Sequence, residues 1–161
     1  MISDLRGKYY VRKTTADTWD DVTTRFAGVK ILKVEGLNAQ GEAVNVYDEQ
    51  WVTGEEDFMV TKQVGGVDMV ARKNVDVAVT FVAGERYGAT DTVTAHDAFV
   101  DFMCNHGDIY LRSMYAMKDA HVIAVNAYKP TLERLHRGTG AFIMGTLELH
   151  CVEPPTPVPT T

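Results

Sequence analysis

Phe58-Met59-Val60-Thr61-Lys62-Gln63-Val64-Gly65-Gly66-Val67, with Val75-Asp76-Val77-Ala78-Val79-Thr80-Phe81 close behind, decides how this chain reads. A diglycine between Val64 and Val67 marks a tight hairpin, because such turns need positive φ that glycine reaches without a Cβ clash. The Val75–Phe81 segment alternates apolar and polar residues almost without fault, the pattern of a strand with one buried face. The first hairpin arm, Phe58–Val64, carries more apolar surface than one small sheet needs. An extended, sticky β-arm beside a core strand is suited to pairing with copies of itself. Phe58, Met59, Val60, Val64, Val67, Met69 and Val70 are therefore the candidate subunit interface.

Outward from this stretch the pattern stays mostly β. Lys8–Lys13 is short and aromatic. Val29–Glu35 ends at Gly36, and a turn over Asn38–Gly41 precedes Ala43–Tyr47. Later segments read as strands over Asp108–Tyr115, His121–Tyr128 and Phe142–Cys151. In the last of these Ile143, Leu147, Leu149 and Cys151 share one face, while Thr146, Glu148 and His150 share the other. One helix interrupts them, expected over Thr94–His106. Thr94 is its expected cap, Asp97 stands three residues on, and Phe99, Phe102 and Met103 form its apolar face. Gly107 supplies a left-handed terminator. Short strands around a single helix predict a mainly β fold with one flanking α-helix. The form is a β-sandwich or partly rolled barrel with a protruding β-hairpin. Residues 1–152 are expected to form one domain. The Pro/Thr-rich stretch 153–161, with four of the five prolines, is expected to be a flexible tail or an arm lying on a neighbouring subunit.

A chain of 161 residues can bury a core without metal or disulfide support. The net charge of −6 argues against a protein that grips nucleic acid through its phosphates. Cys104 and Cys151 are far apart in apolar surroundings and read as two buried free thiols. No segment has the ~18 apolar residues of a membrane span, and the N-terminus lacks a signal-like apolar core, so synthesis in the cytoplasm is expected.

The chain carries little that resembles a reaction centre. His96, His106, His121, His136 and His150 have no metal-ligand spacing, so no metal is expected. His96-Asp97 stands at a helix start, where an acid is common for dipole reasons. Gly138-Thr139-Gly140 precedes a strand, so it offers no helix N-terminus to a phosphate. Asp48, Glu49, Glu55, Glu56 and Asp57 lack calcium-loop spacing and read as solvated acid or a charged rim. Trp19 and Trp51 read as core-packing aromatics in preference to ligand contacts. No cofactor and no catalytic residue are expected, and the chain is not expected to be an enzyme.

The order of elements resembles that of bacteriophage tail tube proteins. It runs through an N-terminal strand, paired strands, a long hairpin over Phe58–Lys73, a sandwich strand, a helix over Thr94–His106 and closing strands. The resemblance is architectural, covers about Lys8 to Val152, and leaves Met1–Ala27 without a match. It implies a virion protein made in the host cytoplasm, six copies in a ring, and rings stacked as a tube through which DNA passes unbound. Its partners would be copies of itself and other tail proteins. Tail terminators and head–tail connectors share the pattern. A monomeric β-sandwich binding module is the alternative of another class.

Overall fold

The computed structural model describes residues 8–41, 45–46, 58–59, 61–64, 67–70, 73–135 and 140–159. Its centre is a nine-stranded antiparallel sheet that is not closed into a barrel. The strands are β1 (Tyr9–Arg12), β2 (Asp20–Asp21), β3 (Val29–Glu35), β8 (Asp76–Gly84), β9 (Ile109–Ser113), β10 (Lys118–Ile123), β11 (Pro130–Arg134), β12 (Phe142–Cys151) and β13 (Thr156–Pro157). The main order is β2-β1-β9-β10-β12-β8-β3, with β11 beside β12 and β13 beside β10.

The longest ladder joins β12 to β8, from Phe142 opposite Gly84 to His150 opposite Asp76. It is long because both strands keep the two-residue period throughout. Val77, Val79, Phe81 and Ala83 point to the core from β8, and Ile143, Leu147, Leu149 and Cys151 do so from β12. The faces expected from the alternation are the ones observed.

Helix α1 (Val22–Arg25) turns the chain into β3, and helix α2 (Thr92–Cys104) closes the core. Phe99, Phe102 and Met103 are buried against the sheet. Phe99 meets Phe81 at 4.7 Å and Phe26 edge-on at 5.4 Å. Each such ring contributes roughly 1.5–3 kcal/mol by burial alone.

Two short sheets stand apart from the main one. β4 (Asn45–Val46) pairs with β5 (Phe58–Met59), and β6 (Thr61–Val64) pairs with β7 (Val67–Val70). Val64 stands opposite Val67, and Gly65 and Gly66 between them lie outside the described residues. Val60 and Trp51 lie outside the described residues, as do Asp48, Glu49, Glu55, Glu56, Asp57 and the loop 136–139.

Several expectations are corrected. The helix begins at Thr92 with Asp91 as its cap, two residues before the expected start and with a different capping residue. The Asp91 carboxylate accepts from the Val93 N–H and also takes the Thr94 hydroxyl, so Thr94 is a partner of the cap. The strand expected over His121–Tyr128 is instead Lys118–Ile123. The chain leaves the ladder because Asn126 bonds to Glu148 and Tyr128 turns its ring toward the helix. β11 was not foreseen. It opens on Pro130, which an edge position tolerates. The proline-rich stretch does enter the sheet, since Thr156 and Pro157 pair with Asp119 and Lys118.

Candidate functional site

The outer face of β3-β8-β12-β11, opposite the core, has two unlike halves. One half is polar. There the Thr80 and Thr146 hydroxyls meet at 3.2 Å, and His150 Nδ1 bonds to Asp76 at 2.8 Å. The other half is apolar and crosses the sheet in register, Lys30 opposite Val82, Val82 opposite Met144, and Met144 opposite Leu132. A bulge in β3 between Ile31 and Lys33 frees Leu32 from the ladder. Leu32, Val82, Tyr87, Phe142 and Met144 line a groove of about 200 Å³ on this face. Leu132 at its far side is 52% exposed.

Both borders of this face are strand edges. β3 has β8 as its only described strand partner, and β11 has β12. An edge strand presents unpaired N–H and C=O groups, which another chain can complete. The chemistry available here is therefore backbone pairing at two edges, with an apolar strip running between them.

The feature closest to a catalytic arrangement lies under the helix. His96 Nδ1 bonds to Asp97 at 3.0 Å, and its Nε2 meets the Tyr128 hydroxyl at 2.7 Å. With Asp97 accepting from Nδ1–H, Nε2 is the acceptor and the phenol donates. Burial first, then the nearby Cys104, Glu133 and Asp97, pushes Tyr128 up to about 12. A phenol held so firmly protonated is the reverse of an activated nucleophile or base. A Cβ at Gly145 would stand 2.3 Å from the Tyr128 oxygen, so protein fills that side of the hydroxyl. The arrangement ties helix α2 to the sheet.

No protein-family model matches this chain, and none of the curated proteins matches it. Among solved structures, the baseplate of phage P2 in its activated conformation with Ca aligns with a TM-score of 0.49 at 11% identity. That alignment covers 92% of this chain and 45% of the other. The Dit protein of phage SPP1, described as a paradigm of the hub adsorption apparatus in phages infecting Gram-positive hosts, aligns with a TM-score of 0.45 at 12% identity. There the coverage is 91% of this chain and 50% of the other. This chain thus spans about half the length of both. Likeness of this degree establishes neither a family nor an activity.

A third cluster lies on β1, β9 and β10. The Arg12 and Arg112 guanidinium carbons stand 4.2 and 4.4 Å from the Trp19 ring. Trp19 is thus a half-buried platform for two cations, where the sequence pointed to core packing. Arg112 forks onto Asp119 at 2.7 and 2.9 Å. His121 stacks on Tyr110 at 4.3 Å, bonds to Asp108, and has Glu153 at 3.6 Å. The His121 bond and a backbone N–H hold the Asp108 carboxyl below its usual range.

Of the candidate interface residues, Phe58, Met59, Val64, Val67, Met69 and Val70 lie on β5, β6 and β7. The apolar strip on β3, β8, β12 and β11 was missed. Its signal was weak, since Leu32, Val82, Met144 and Leu132 come from four separate segments that only the folded sheet brings together. Among the described residues no group of three acids, histidines or cysteines could hold a metal ion, and no helix is long and apolar enough to cross a membrane. Cys104 and Cys151 are free thiols, Cys151 buried and Cys104 only partly so.

Proposed function

We propose that this chain is a structural subunit of a bacteriophage tail that assembles with copies of itself, in the first instance as a ring of the tail tube. The observation that carries this reading is the unclosed sheet, whose outer face carries Leu32, Val82, Met144 and Leu132 between β3 and β11, each of which has a single strand partner among the described residues. Heterologous pairing of β3 in one copy with β11 in the next would complete both edges and close a ring. The element order resembling tail tube proteins supports the same assignment, and the net charge of −6 suits a lumen that lets DNA pass without holding it. A tail terminator or head–tail connector would use the same contacts. The β6–β7 hairpin, with Phe58, Met59, Val60, Val64, Val67, Met69 and Val70, is a second contact, made between neighbours or between stacked rings.

Light scattering across a concentration series, with negative-stain imaging of the same sample, tests the reading. Rings or tubes are expected. The Leu32→Asp/Leu132→Asp double variant should stay folded and monomeric, and Val60→Asp/Met69→Asp should separately leave the monomer folded but block ring formation, unchanged assembly removing the hairpin from the interface. A strict monomer at every concentration would turn the assignment toward the monomeric binding module. That reading has its own observation in a cavity of about 280 Å³ lined by Tyr9, Val22, Val29, Ile31 and Tyr87.

A further inference from the structure

Residues 156–158 occupy a slot on β10 whose opposite side is already paired with β9. The β9–β10 hairpin is held by its own ladder, from Ser113 opposite Lys118 to Ile109 opposite Val122. Beyond the end of β12, the far edge of β10 would stand open at Lys118 and Asp119. β13 fills this gap, with Thr156 opposite Asp119 and Pro157 opposite Lys118. The Val158 N–H donates to the Met117 carbonyl at 3.0 Å, and Met117 is held at φ 56 by the turn. Val158 is only 8% exposed although both neighbouring prolines are exposed. One buried side chain and a short ladder therefore hold the segment.

The link from β12 is suited to release. The Val152 N–H donates to the His121 carbonyl, and Asn74 Nδ2 donates to the Val152 carbonyl, which fixes the end of β12. After it come Glu153, Pro154 and Pro155. The prolines have no N–H to give and favour an extended course of about 3.1 Å per residue. We propose that residues 156–158 are exchanged between copies, the segment of one chain filling the β10 slot of its neighbour. The occupant is a second copy's Thr156-Pro157-Val158, because the slot accepts that sequence as it stands and every contact is reproduced. Exchange leaves the contact energy unchanged, so association is decided by the link geometry and the local concentration of neighbours. The inference rests on the self-assembly reading, since exchange needs an adjacent copy.

The test uses the register. Directly opposed antiparallel residues stand about 4.5–5.5 Å apart at Cα, within the range a disulfide spans. In a Cys104→Ala/Cys151→Ala background, Asp119→Cys and Thr156→Cys are made in separate chains, mixed under assembling conditions, and oxidised with oxidised glutathione. A mixed disulfide dimer on a non-reducing gel is expected, absent from either chain alone. The chain carrying both substitutions confirms the register by forming a disulfide at all. The Lys118→Cys and Pro157→Cys pair repeats the experiment should the first pair fold poorly. Light scattering on the same mixture separates the two ideas. Oligomers without a mixed disulfide overturn the exchange and leave self-assembly standing. Monomers without one overturn both.

Discussion

Tyr128 shows how one side chain can join a helix to a strand. Its hydroxyl donates to His96 on the helix, and its ring lies against Gly145 on β12, where a Cβ would come within 2.3 Å of the oxygen and 2.8 Å of Cε1. Gly145→Ala should therefore displace the phenol and destabilise the fold by about 1–3 kcal/mol, read by urea unfolding. In a Tyr128→Ala background the same substitution should cost almost nothing, because the clash partner is gone. An undiminished cost there would mean that the glycine is required for some other reason. The raised phenol gives a second prediction. A group whose folded pKa exceeds its unfolded value stabilises the fold below the unfolded value and loses that contribution as pH rises through the folded one. For Tyr128 the window runs from its ordinary 10.0 to about 12. Cys151, pushed up to about 11 from 9.0 by burial, adds its own loss from pH 9 to about 11, which overlaps the lower half of that window and is common to both chains. The stability difference between the native chain and Tyr128→Phe should hence shrink between pH 10 and 12, in chemical denaturation at fixed ionic strength. A constant difference would refute the assigned burial.

Asp91, not Thr94, satisfies the orphan Val93 N–H, and Thr94 Oγ1 only donates to Asp91 at 2.6 Å. Asp91→Ala should cost about 1 kcal/mol and Thr94→Ala clearly less, as measured by thermal unfolding. Equal losses would restore Thr94 as the cap. Both Asp91 and Thr94 are good capping residues, so sequence alone had two admissible starts, and the choice was made by which residue's backbone turns extended. The same limit explains what else could be read. The Val75–Phe81 alternation and the alternation of β12 were legible because one buried face imposes a period of two. The pairing of Thr61–Val64 with Val67–Val70 was legible because a diglycine between two apolar arms favours a hairpin. β11 was not, since Leu132 and Leu135 are exposed and a strand with no buried face leaves no periodic trace. β13 was hidden for another reason. Proline argues against a ladder in general, yet at an edge Pro157 needs only to be opposed, and the backbone bond to Met117 comes from the Val158 N–H.

At the scale of the whole molecule, the candidate surface exists only through the folded sheet, whose register aligns Val82, Met144 and Leu132 across β8, β12 and β11 while the β3 bulge adds Leu32 beside them. An assembly built head to tail from two different edges has a property that a two-fold pairing lacks. Each copy offers one β3 edge and one β11 edge, so damage to either edge stops growth at a defined place. A charge buried in such a contact without a partner costs several kcal/mol, enough to abolish a weak interface. Leu32→Asp alone should disable the β3 side, and Leu132→Asp alone the β11 side, leaving each pure variant monomeric. Mixed, the two should form a dimer of one copy each through the intact β11 edge of the first and the intact β3 edge of the second. Growth should stop there, because both outer edges of that dimer carry the substitution. Mass measurement of isotopically distinguished variants reads this directly. If β3 instead met β3 and β11 met β11, each pure variant would already be a dimer through its undamaged edge, and mixing would change nothing. Mixed dimers, and only mixed dimers, would show that the ring is closed by joining unlike edges of the same sheet.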